Sequence, residues 1–404
     1  MIERKEYLDQ LWAWKDEQQI KVVTGIRRCG KSVLLEQYQE RLLANGVTAE
    51  QIISINFENL DYEPLKDYMK LYNYLKERLC ADKMTYIFLD EVQEVPSFEK
   101  VVDSLYIRDH VDVYITGSNA YMLSSELATL LSGRYTEIRM LPLSFCEYMA
   151  VTGMAKEEAF AEFMKTGGIP YVAVNRTDEK TDQYLEGIYN TVIVKDIEQR
   201  QARREKEDGK RKITDIALLK TIAKYLASVI GSPVSMKSIT DYLTSAGRKV
   251  SQNTVSDYVE ALTESFIFYP VERFDIVGKQ LLKVNNKFYM VDMGIRNHIL
   301  PRKRYDLGFT IENIVYLELL RRGGKVNIGK YGSAEDDFVT QKEGVLTYYQ
   351  VTADMTAEET FEREMRPLRS IQDNYEKIVL TLDRFSLGNY DGIKVVNAID
   401  WLLG

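Results

Sequence analysis

The sequence predicts an α/β fold in which a parallel sheet with helices on both faces is followed by two further regions. Three observations support this prediction: short apolar runs alternate with helical stretches, a glycine-rich loop joins the first run to a helix, and a later run ends in two carboxylates. Such alternation is typical of parallel sheets, since each crossover between parallel strands needs a long connection. With 404 residues the chain exceeds the usual size of a single core, so two or three domains are expected.

The first region contains five predicted strands separated by helical stretches, and we assign it to residues 1–143. The strands are predicted at residues 21–25, 52–57, 85–89, 112–116 and 137–141. Residues 144–212 are predicted to form a helical lid or linker region, with a turn at residues 167–170. Its last part, residues 200–212, is almost entirely charged and mixed in sign, which favours a solvated helix or mobile linker over a nucleic-acid contact.

The loop after the first strand matches the phosphate-loop pattern, and its position between a strand and an amphipathic helix supports that match. Glycines let backbone N–H groups face a phosphate, and the following helix presents its positive amino end. Lys31 is expected to reach the β- and γ-phosphates, and Ser32 to hold a magnesium ion. Arg27 and Arg28 are candidates for contacts with nucleotide, nucleic acid or an acidic surface. The predicted nucleotide-binding residues are Gly25, Ile26, Arg27, Arg28, Cys29, Gly30, Lys31, Ser32 and Val33.

Two acidic residues stand at the end of the third strand. Residues 85–89 form an apolar run, as expected of a buried parallel strand, and Asp90 and Glu91 follow it. At the carboxyl edge of the sheet, Asp90 is expected to hold the magnesium shell and Glu91 to polarise water. The alternative is a strand end whose acids are merely solvated. A glutamate next to the magnesium aspartate favours ATPases over signalling GTPases, so hydrolysis is predicted rather than binding alone.

The fourth strand leads into Gly117, Ser118 and Asn119, which places a hydroxyl and an amide at the same edge of the sheet. Asn119, with Ser118 as second choice, is predicted to sense the γ-phosphate and to position the water. The alternative is a turn that serves only as a helix cap. The order of the strands along the chain favours the sensing role.

The composition indicates neither a membrane segment nor a zinc site. Hydrophobic residues make up 45% of the chain, no uncharged run approaches the roughly 18 residues that cross a bilayer, and the first residues lack an apolar signal segment. A cytoplasmic location without a membrane partner is expected. The cysteines, Cys29, Cys80 and Cys146, are far apart, and the histidines are His110 and His298, which indicates neither a disulfide framework nor a metal site. We hypothesise that alkylation of Cys29, inside an anion-binding loop, blocks nucleotide binding.

Residues 213–300 are predicted to form a winged-helix domain. Helices at residues 213–230, 238–243 and 251–264 are followed by β-rich segments at 266–274 and 287–291. The third helix of such a domain can enter a DNA major groove. The residues expected to face DNA are Ser251, Gln252, Asn253 and Thr254 at its leading end, with Lys237, Arg248 and Lys249 for phosphates. A protein-interaction role is the alternative, and the net charge of −8 weakens the case for tight non-specific DNA binding.

The motifs resemble those of the prokaryotic AAA-class ATPases that carry a C-terminal domain of unknown function, over nearly the whole chain. The resemblance rests on the double arginine of the loop, the strand ends at residues 90–91 and 116–119, the tripeptide 132–134 and the run 141–148. It implies ATP rather than GTP as the nucleotide. It also implies that Arg134 is an arginine finger or an internal clamp on the γ-phosphate. Pairing of Arg134 with Glu137 or with a backbone carbonyl is the alternative.

The final residues, 301–404, resemble the restriction-endonuclease-like core of related ATPases, in which a helix Glu, a strand Asp and a Glu-x-Lys on the next strand bind magnesium. Here Glu312 lies on a predicted helix, Glu335, Asp336 and Asp337 lie at a strand, and the third element reads Gln350-Val351-Thr352. An amide binds magnesium more weakly than a carboxylate, and the expected lysine is missing. We therefore expect a nuclease-like fold without nuclease activity. An unrelated α/β module with solvent-facing acids is the alternative.

The leading functional prediction is a magnesium-dependent ATPase that uses ATP hydrolysis to move the winged-helix and nuclease-like regions on DNA or on a protein partner. The alternatives are a DNA nuclease licensed by ATP and a regulator that binds DNA or protein and hydrolyses ATP slowly. The predicted catalytic residues are Lys31, Glu91, Asn119 and Arg134, and the predicted metal ligands are Ser32 and Asp90. The oligomeric state is left open, since an arginine finger acts within one chain or across two.

Overall fold

The computed structural model describes residues 2–117, 131, 133–175, 178–198, 201, 205, 213–300, 307–332 and 334–404. Contacts divide the chain into two compact units, Met1–Pro142 with Glu264–Phe266, and Leu143–Thr263 with Ile267–Gly404. No helix within the described ranges is long and apolar enough to span a membrane. The first unit contains the glycine-rich loop and the acidic strand end, and the second contains the regions predicted to be a winged helix and a nuclease-like module.

In the described part of the first unit, five parallel strands form one sheet. They are β1 (Ile20–Thr24), β2 (Ile52–Asn56), β3 (Thr85–Asp90), β4 (Val111–Gly117) and β5 (Tyr135–Arg139). Their order across the sheet is β2-β3-β4-β1-β5, and every neighbouring pair is parallel. The predicted α/β fold class is confirmed. Because β1 lies between β4 and β5, the connection from β1 to β2 and the connection from β4 to β5 run in opposite directions across the sheet. The loop after β1 therefore lies at the point where folds of this type bind ligands.

Helices cover both faces of this sheet. They are α1 (Lys5–Ala13), α2 (Lys31–Ala44), α3 (Tyr68–Lys76) and α4 (Phe98–Tyr106). Side chains alternate along each strand, so Ile87 and Ile115 share a core with α3 and α4. Phe88 and Tyr114 instead contact Tyr38 of α2, with ring centroids 6.3 and 5.1 Å away. This alternation of two apolar faces is why the strands read as continuous hydrophobic runs.

The second unit begins with helices and continues with a mixed α/β region. Its helices are α5 (Phe145–Thr152), α6 (Lys156–Thr166), α7 (Pro170–Val174), α8 (Asp178–Asn190), α9 (Ile216–Ser228), α10 (Met236–Ser245), α11 (Gln252–Glu264), α12 (Met293–Ile299), α13 (Leu307–Arg321), α14 (Glu358–Ser370) and α15 (Ala398–Leu403). A π-helical segment, Thr191–Asp196, follows α8. The charged segment predicted at residues 200–212 lies almost wholly outside the described residues.

Among the residues that the structure describes, one mixed sheet of nine strands organises the second unit. The strands are β6 (Pro233–Val234), β7 (Phe268–Asp275), β8 (Gln280–Met290), β9 (Lys325–Tyr331), β10 (Ala334–Lys342), β11 (Val345–Thr352), β12 (Glu376–Thr381), β13 (Gly388–Tyr390) and β14 (Ile393–Asn397). Their order is β13-β14-β12-β11-β10-β9-β7-β8-β6. Since β7 pairs in parallel with β9, strands from residues 213–300 and from residues 301–404 share this sheet. The division into four domains stays a prediction.

The first part of that sheet belongs to a helix-rich segment with the order α9, β6, α10, α11, β7, β8. Three helices are thus followed by a hairpin, and β6 pairs with β8 in antiparallel fashion. The second hairpin strand is longer than expected, because residues 280–282 continue the pairing with β7 beyond a register shift. The name winged helix stays a prediction for the segment.

The turn at residues 167–170 encloses a buried carboxylate. Asp292 Oδ2 accepts a hydrogen bond from Gly168 N at 2.6 Å, and Oδ1 accepts one from Ile295 N at 3.0 Å. Burial raises the pKa of Asp292 to about 6, although the backbone N–H donors act in the opposite direction. Gly167 has φ 75°, and a Cβ at this position would lie 2.2 Å from Asp292 Oδ1. A glycine is therefore required at this turn.

Candidate active site

The glycine-rich loop lies between the end of β1 and the start of α2, as predicted. Gly25 has φ 146°, and a Cβ there would lie 2.2 Å from the carbonyl oxygen of Met140, so no larger residue fits. Gly30 precedes α2 with a left-handed backbone, φ 107°. The ammonium of Lys31 donates to the carbonyl oxygens of Gly25 at 3.1 Å and Ile26 at 3.4 Å. The loop thus curls around the Lys31 ammonium, directly before the amino end of a helix.

The carboxylate of Asp90 joins three polar groups at this edge of the sheet. Asp90 Oδ2 accepts a hydrogen bond from Asn56 Nδ2 at 2.8 Å, and Oδ1 accepts one from the Thr116 hydroxyl. The side chain of Ser32 also hydrogen-bonds to Asp90. Burial raises the pKa of Asp90, while the hydrogen bonds from Thr116 and Ser32 act in the opposite direction. The two predicted magnesium ligands, Ser32 and Asp90, are therefore direct neighbours, and their oxygen donors fit a hard divalent cation.

The predicted base, Glu91, lies beside Asp90 in an unusual backbone conformation. Its φ of 53° and ψ of 47° are left-handed, which L residues rarely adopt. The Glu91 N–H donates to the Thr116 hydroxyl at 3.0 Å. Its carboxylate Oε2 accepts a hydrogen bond from the Gln93 side-chain amide. Both acids of the third strand are therefore held by the end of β4, and both are buried.

Three residues of this network were not predicted from the sequence: Asn56, Thr116 and Gln93. Asn56 is the last residue of β2 and pairs in register with Asp90. Thr116 stands near the end of β4. Asn56 and Thr116 could both have been predicted by the rule that identified Asp90, which looks for a polar residue at the carboxyl end of a strand. The contact of Gln93 depends on the tight turn after Glu91 and has no comparable signal.

The other residues of the loop differ in accessibility. The guanidinium of Arg27 lies 3.3 Å from Glu58 Oε1, whereas Arg28 and Val33 are exposed. Cys29 is fully buried, and its carbonyl oxygen accepts a hydrogen bond from Arg4 Nη1 at 3.1 Å. An alkylating reagent cannot reach a thiol in this position. The proposed sensitivity of Cys29 to alkylation is therefore not supported, because a helix-terminal loop favours a thiolate only where the thiol is accessible.

The predicted arginine finger lies away from the loop. Arg134 precedes β5, its carbonyl oxygen accepts the N–H of Ile20 at 2.9 Å, and Ile20 begins β1. Arg134 is thus at the amino end of the sheet, about 13 Å of strand away from the loop, at roughly 3.3 Å per residue. Its guanidinium lies 3.3 Å from Asp103 Oδ1 and over the ring of Tyr106. This placement favours a paired arginine over a clamp on a nucleotide of the same chain, with Asp103 as partner instead of Glu137.

The sensor candidates, Ser118 and Asn119, lie outside the described residues, as does Ser132. The described part of β4 ends at Gly117. The role of Asn119 therefore stays a prediction.

In the second unit, the predicted nuclease-like acids surround a lysine. Lys287 Nζ lies 3.2 Å from Glu312 Oε1, 3.2 Å from Glu335 Oε1 and 3.7 Å from Asp337 Oδ1. Burial alone lowers the pKa of Lys287, but the three carboxylates outweigh it, and the pKa is raised. This lysine could not be predicted from the third element, because Lys287 belongs to β8, far from that element in sequence. Tyr289 also donates to Glu312, at 2.5 Å.

The residues of the third nuclease-like element are engaged elsewhere. Gln350 Nε2 donates to Glu364 Oε2 at 3.0 Å, and the Thr352 hydroxyl donates to the carbonyl oxygen of Asp354 at 3.0 Å. Asp336 is buried, and neither of its carboxylate oxygens has a hydrogen-bond partner among the described residues. Over the part of the chain that the structure describes, no three or more His, Cys, Asp or Glu residues are arranged to hold a metal ion.

The leading end of α11 presents a polar surface. Ser251 Oγ accepts the Thr254 N–H at 3.1 Å, which caps the helix. Gln252 and Asn253 are exposed. Of the three predicted phosphate contacts, Lys237 and Lys249 are exposed, and Arg248 lies 2.9 Å from Asp215 Oδ2.

Comparison with known proteins finds two family matches along the chain. Residues 17–149 match the AAA domain family, and residues 157–306 match a domain of unknown function, DUF8612. An uncharacterized protein of Haemophilus influenzae is 38% identical over 409 residues, with 100% of this chain and 99% of that protein covered. An uncharacterized protein of Methanocaldococcus jannaschii is 27% identical over 325 residues, which cover 75% of this chain and 67% of that protein.

Solved structures that match this chain include a Walker-type ATPase of Pyrococcus abyssi, at 15% identity and a TM-score of 0.49, covering 74% of this chain and 96% of that one. The Orc1 protein of Aeropyrum pernix in complex with DNA has 14% identity and a TM-score of 0.32, covering 74% of this chain and 92% of that one. The full-length match to the Haemophilus protein and the AAA domain match decide the assignment. The chain belongs to the same family as that Haemophilus influenzae protein, and its N-terminal domain is an AAA-type P-loop ATPase domain.

Proposed function

We propose that this chain is a magnesium-dependent ATPase. One observation carries the proposal: Asp90 ends β3 and Glu91 follows it at the same sheet edge as the glycine-rich loop, and Asp90 is hydrogen-bonded to Ser32 of that loop. A binding loop alone would support nucleotide binding only. The added carboxylate of Glu91, buried next to the metal ligand, supports hydrolysis.

Each residue of the site has a distinct task in this proposal. Backbone N–H groups of the loop and the ammonium of Lys31 bind the phosphates. Ser32 and Asp90 supply oxygen ligands for Mg²⁺, which neutralises charge on the phosphates when bound. Glu91 orients a water molecule and accepts its proton. Thr116 joins the two functions, since one hydroxyl donates to Asp90 and accepts the N–H of Glu91.

The nucleotide cycle is proposed to move the second unit on nucleic acid or on a protein partner. The order of three helices and a hairpin in residues 216–290 supports a winged helix, and the exposed polar end of α11 supports DNA as its partner. The role proposed for residues 301–404 is that of a nuclease-like module without cleavage. Gln350 stands where a carboxylate ligand is needed, and its amide donates to Glu364.

The presence of Lys287 among the acids favours a second candidate function, a DNA nuclease licensed by ATP. An ammonium close to Glu312 and Asp337 is the group that the third element, Gln350-Val351-Thr352, does not provide. A cleavage assay on single- and double-stranded DNA with Mg²⁺ or Mn²⁺ tests this candidate. Cleavage that requires ATP and disappears in Glu312→Gln would support it, and no cleavage under any of these conditions would exclude it.

Phosphate release from ATP by the full chain tests the leading proposal. Lys31→Ala and Glu91→Gln should each lower turnover by at least about 100-fold, because one removes phosphate binding and the other the base. Lys70→Ala and Glu94→Gln make the same chemical changes at exposed positions and serve as matched controls. Turnover that survives in Glu91→Gln would instead support a slow nucleotide-responsive regulator.

The partner is tested in the same assay. If DNA is the partner, adding DNA should raise turnover, and Asn253→Ala together with Lys249→Ala should weaken that effect without changing basal turnover. Stimulation should also decline as salt is raised, since phosphate contacts release counterions. Turnover indifferent to DNA would direct the search to a protein partner.

A further inference from the structure

We infer that Gln93 is a positioning residue for hydrolysis, because its buried side-chain amide orients the carboxylate of Glu91 toward the attacking water. The inference rests on the proposed ATPase function and names a residue that acts through the base. Gln93 lies in the short 3₁₀ turn Val92–Glu94, two residues after Glu91, and only 4% of it is exposed.

The main chain of Glu91 is held from two sides. Its N–H donates to the Thr116 hydroxyl at 3.0 Å, and its carbonyl oxygen accepts the Glu94 N–H at 3.1 Å. The backbone between these bonds is left-handed, a conformation that persists in a non-glycine residue only when the surroundings enforce it. The Cα–Cβ bond of Glu91 therefore has a fixed direction, and the remaining freedom lies in the side-chain torsions.

Gln93 removes that remaining freedom. Its Nε2 donates to Glu91 Oε2. In the proposed mechanism, Oε1 is then the oxygen that accepts a hydrogen bond from the attacking water. Asp90 lies next to Glu91, and two neighbouring carboxylates repel each other, so an unrestrained Glu91 side chain would turn away from the metal ligand. A neutral N–H donor holds the carboxylate without adding a charge that would compete with Lys31 or with the metal.

The contact with Glu91 Oε2 requires a side chain at position 93 with the length and the N–H donor of glutamine. Asn at position 93 would be one methylene too short to reach Oε2, and Glu would present an acceptor to an acceptor. Met keeps the length and the burial of Gln93 but has no N–H donor. Gln93→Met therefore isolates the hydrogen bond, and Gln93→Glu replaces attraction by repulsion at nearly the same volume.

The test is steady-state ATP turnover of the full chain carrying Gln93→Met or Gln93→Glu, with Gln10→Met at an exposed position as control. We expect kcat to fall about 10- to 100-fold in both variants, as for loss of an oriented base, while KM and the affinity for a non-hydrolysable ATP analogue change by less than about twofold. A purely structural defect would instead weaken analogue binding and lower the melting temperature.

A test in the Glu91→Gln variant distinguishes a role of Gln93 that acts through Glu91 from a role that does not. In Glu91→Gln, adding Gln93→Met should cause no further loss of kcat, because residues that act as one unit are not additive. A further loss in that background overturns the inference, as does unchanged or increased kcat in both single variants. If wild-type turnover does not depend on Lys31 and Glu91, the proposed ATPase function itself fails. If it does depend on them while Gln93→Met is fully active, only the role of Gln93 fails.

Discussion

The ammonium of Lys287 lies 3.2 Å from the carboxylate of Glu312, and the exposed fractions of the two side chains are 6% and 9%. Two further carboxylates, Glu335 and Asp337, face the same ammonium. A buried cation with three acidic neighbours ties β8 to α13 and β10, and so joins the hairpin to the α/β region that follows. Removing the cation leaves buried carboxylates without compensation, a costly change in a low-dielectric environment.

Lys287→Met should therefore destabilise the second unit by about 3–5 kcal/mol, since breaking a buried ion pair from one side leaves an uncompensated charge. Urea unfolding of the full chain, followed by circular dichroism, measures the shift. Lys394→Met breaks an exposed pair with Glu376 and should cost no more than about 1 kcal/mol. The double variant Lys287→Met/Glu312→Gln should recover part of the loss. Equal effects of Lys287→Met and Lys394→Met would contradict a buried ionic cluster.

The buried carboxylate of Asp336 predicts a pH-dependent stability. Burial raises its pKa from 3.8 to about 7, so the folded protein favours the protonated form. The stability that protonated Asp336 contributes is fully present below the pKa of this residue in the unfolded chain. It is lost as the pH rises through about 7. Asp336→Asn cannot ionise and should be more stable than the wild type at about pH 8, by at most about 4 kcal/mol, with no gain near pH 4.

Thermal unfolding of Asp336→Asn across this pH range measures the effect, with Asp241→Asn at an exposed position as control. A gain that is the same at both ends of the range would mean that Asp336 does not titrate there.

The Thr116 hydroxyl should matter for turnover more than for folding. Thr116→Val keeps the shape of the side chain but removes the donor to Asp90 and the acceptor for the Glu91 N–H. We expect kcat to fall about 10- to 100-fold and the Mg²⁺ concentration for half-maximal turnover to rise, because both acids lose their alignment. Thr136→Val, on β5, is the matched control. The measurement is a magnesium titration of turnover for both variants. If kcat of Thr116→Val falls while its magnesium requirement stays unchanged, or the reverse, the hydroxyl serves only one of the two acids.

Arg134 offers a test of action across two chains. Because its guanidinium pairs with Asp103 at the amino end of the sheet, Arg134→Ala should keep turnover within about threefold of the wild type in dilute protein. Turnover is then measured over a range of protein concentrations, alongside light scattering. A defect that grows as the wild type associates would support a finger supplied to a neighbouring chain. A large loss of turnover in monomeric Arg134→Ala would contradict the conclusion that Arg134 does not act on a nucleotide of its own chain.

The sequence alone was sufficient to predict the first sheet and the edge at which the glycine-rich loop and the two acids meet. Local rules sufficed there, because an apolar run buried on both faces is visible in the sequence, and a parallel strand delivers its last residues to one edge. Lys31 and Ser32 begin α2, Asp90 ends β3 and Glu91 follows it, so these four residues meet at that edge, while their roles stay predictions. The three-helix order before the hairpin followed in the same way from helical periodicity.

Tertiary structure alone decided the contacts between residues that are distant in sequence. Arg134 follows a plausible motif, yet the strand order puts it at the opposite end of the sheet from the loop. Lys287 and Glu312 lie 25 residues apart on a strand and a helix, and only their packing brings the ammonium to the acids. Gln93 reaches Glu91 because the backbone of Glu91 is left-handed, a conformation that its residue type does not predict. Spacing along the chain predicts which residues share an edge, whereas the direction of a side chain depends on packing and backbone strain.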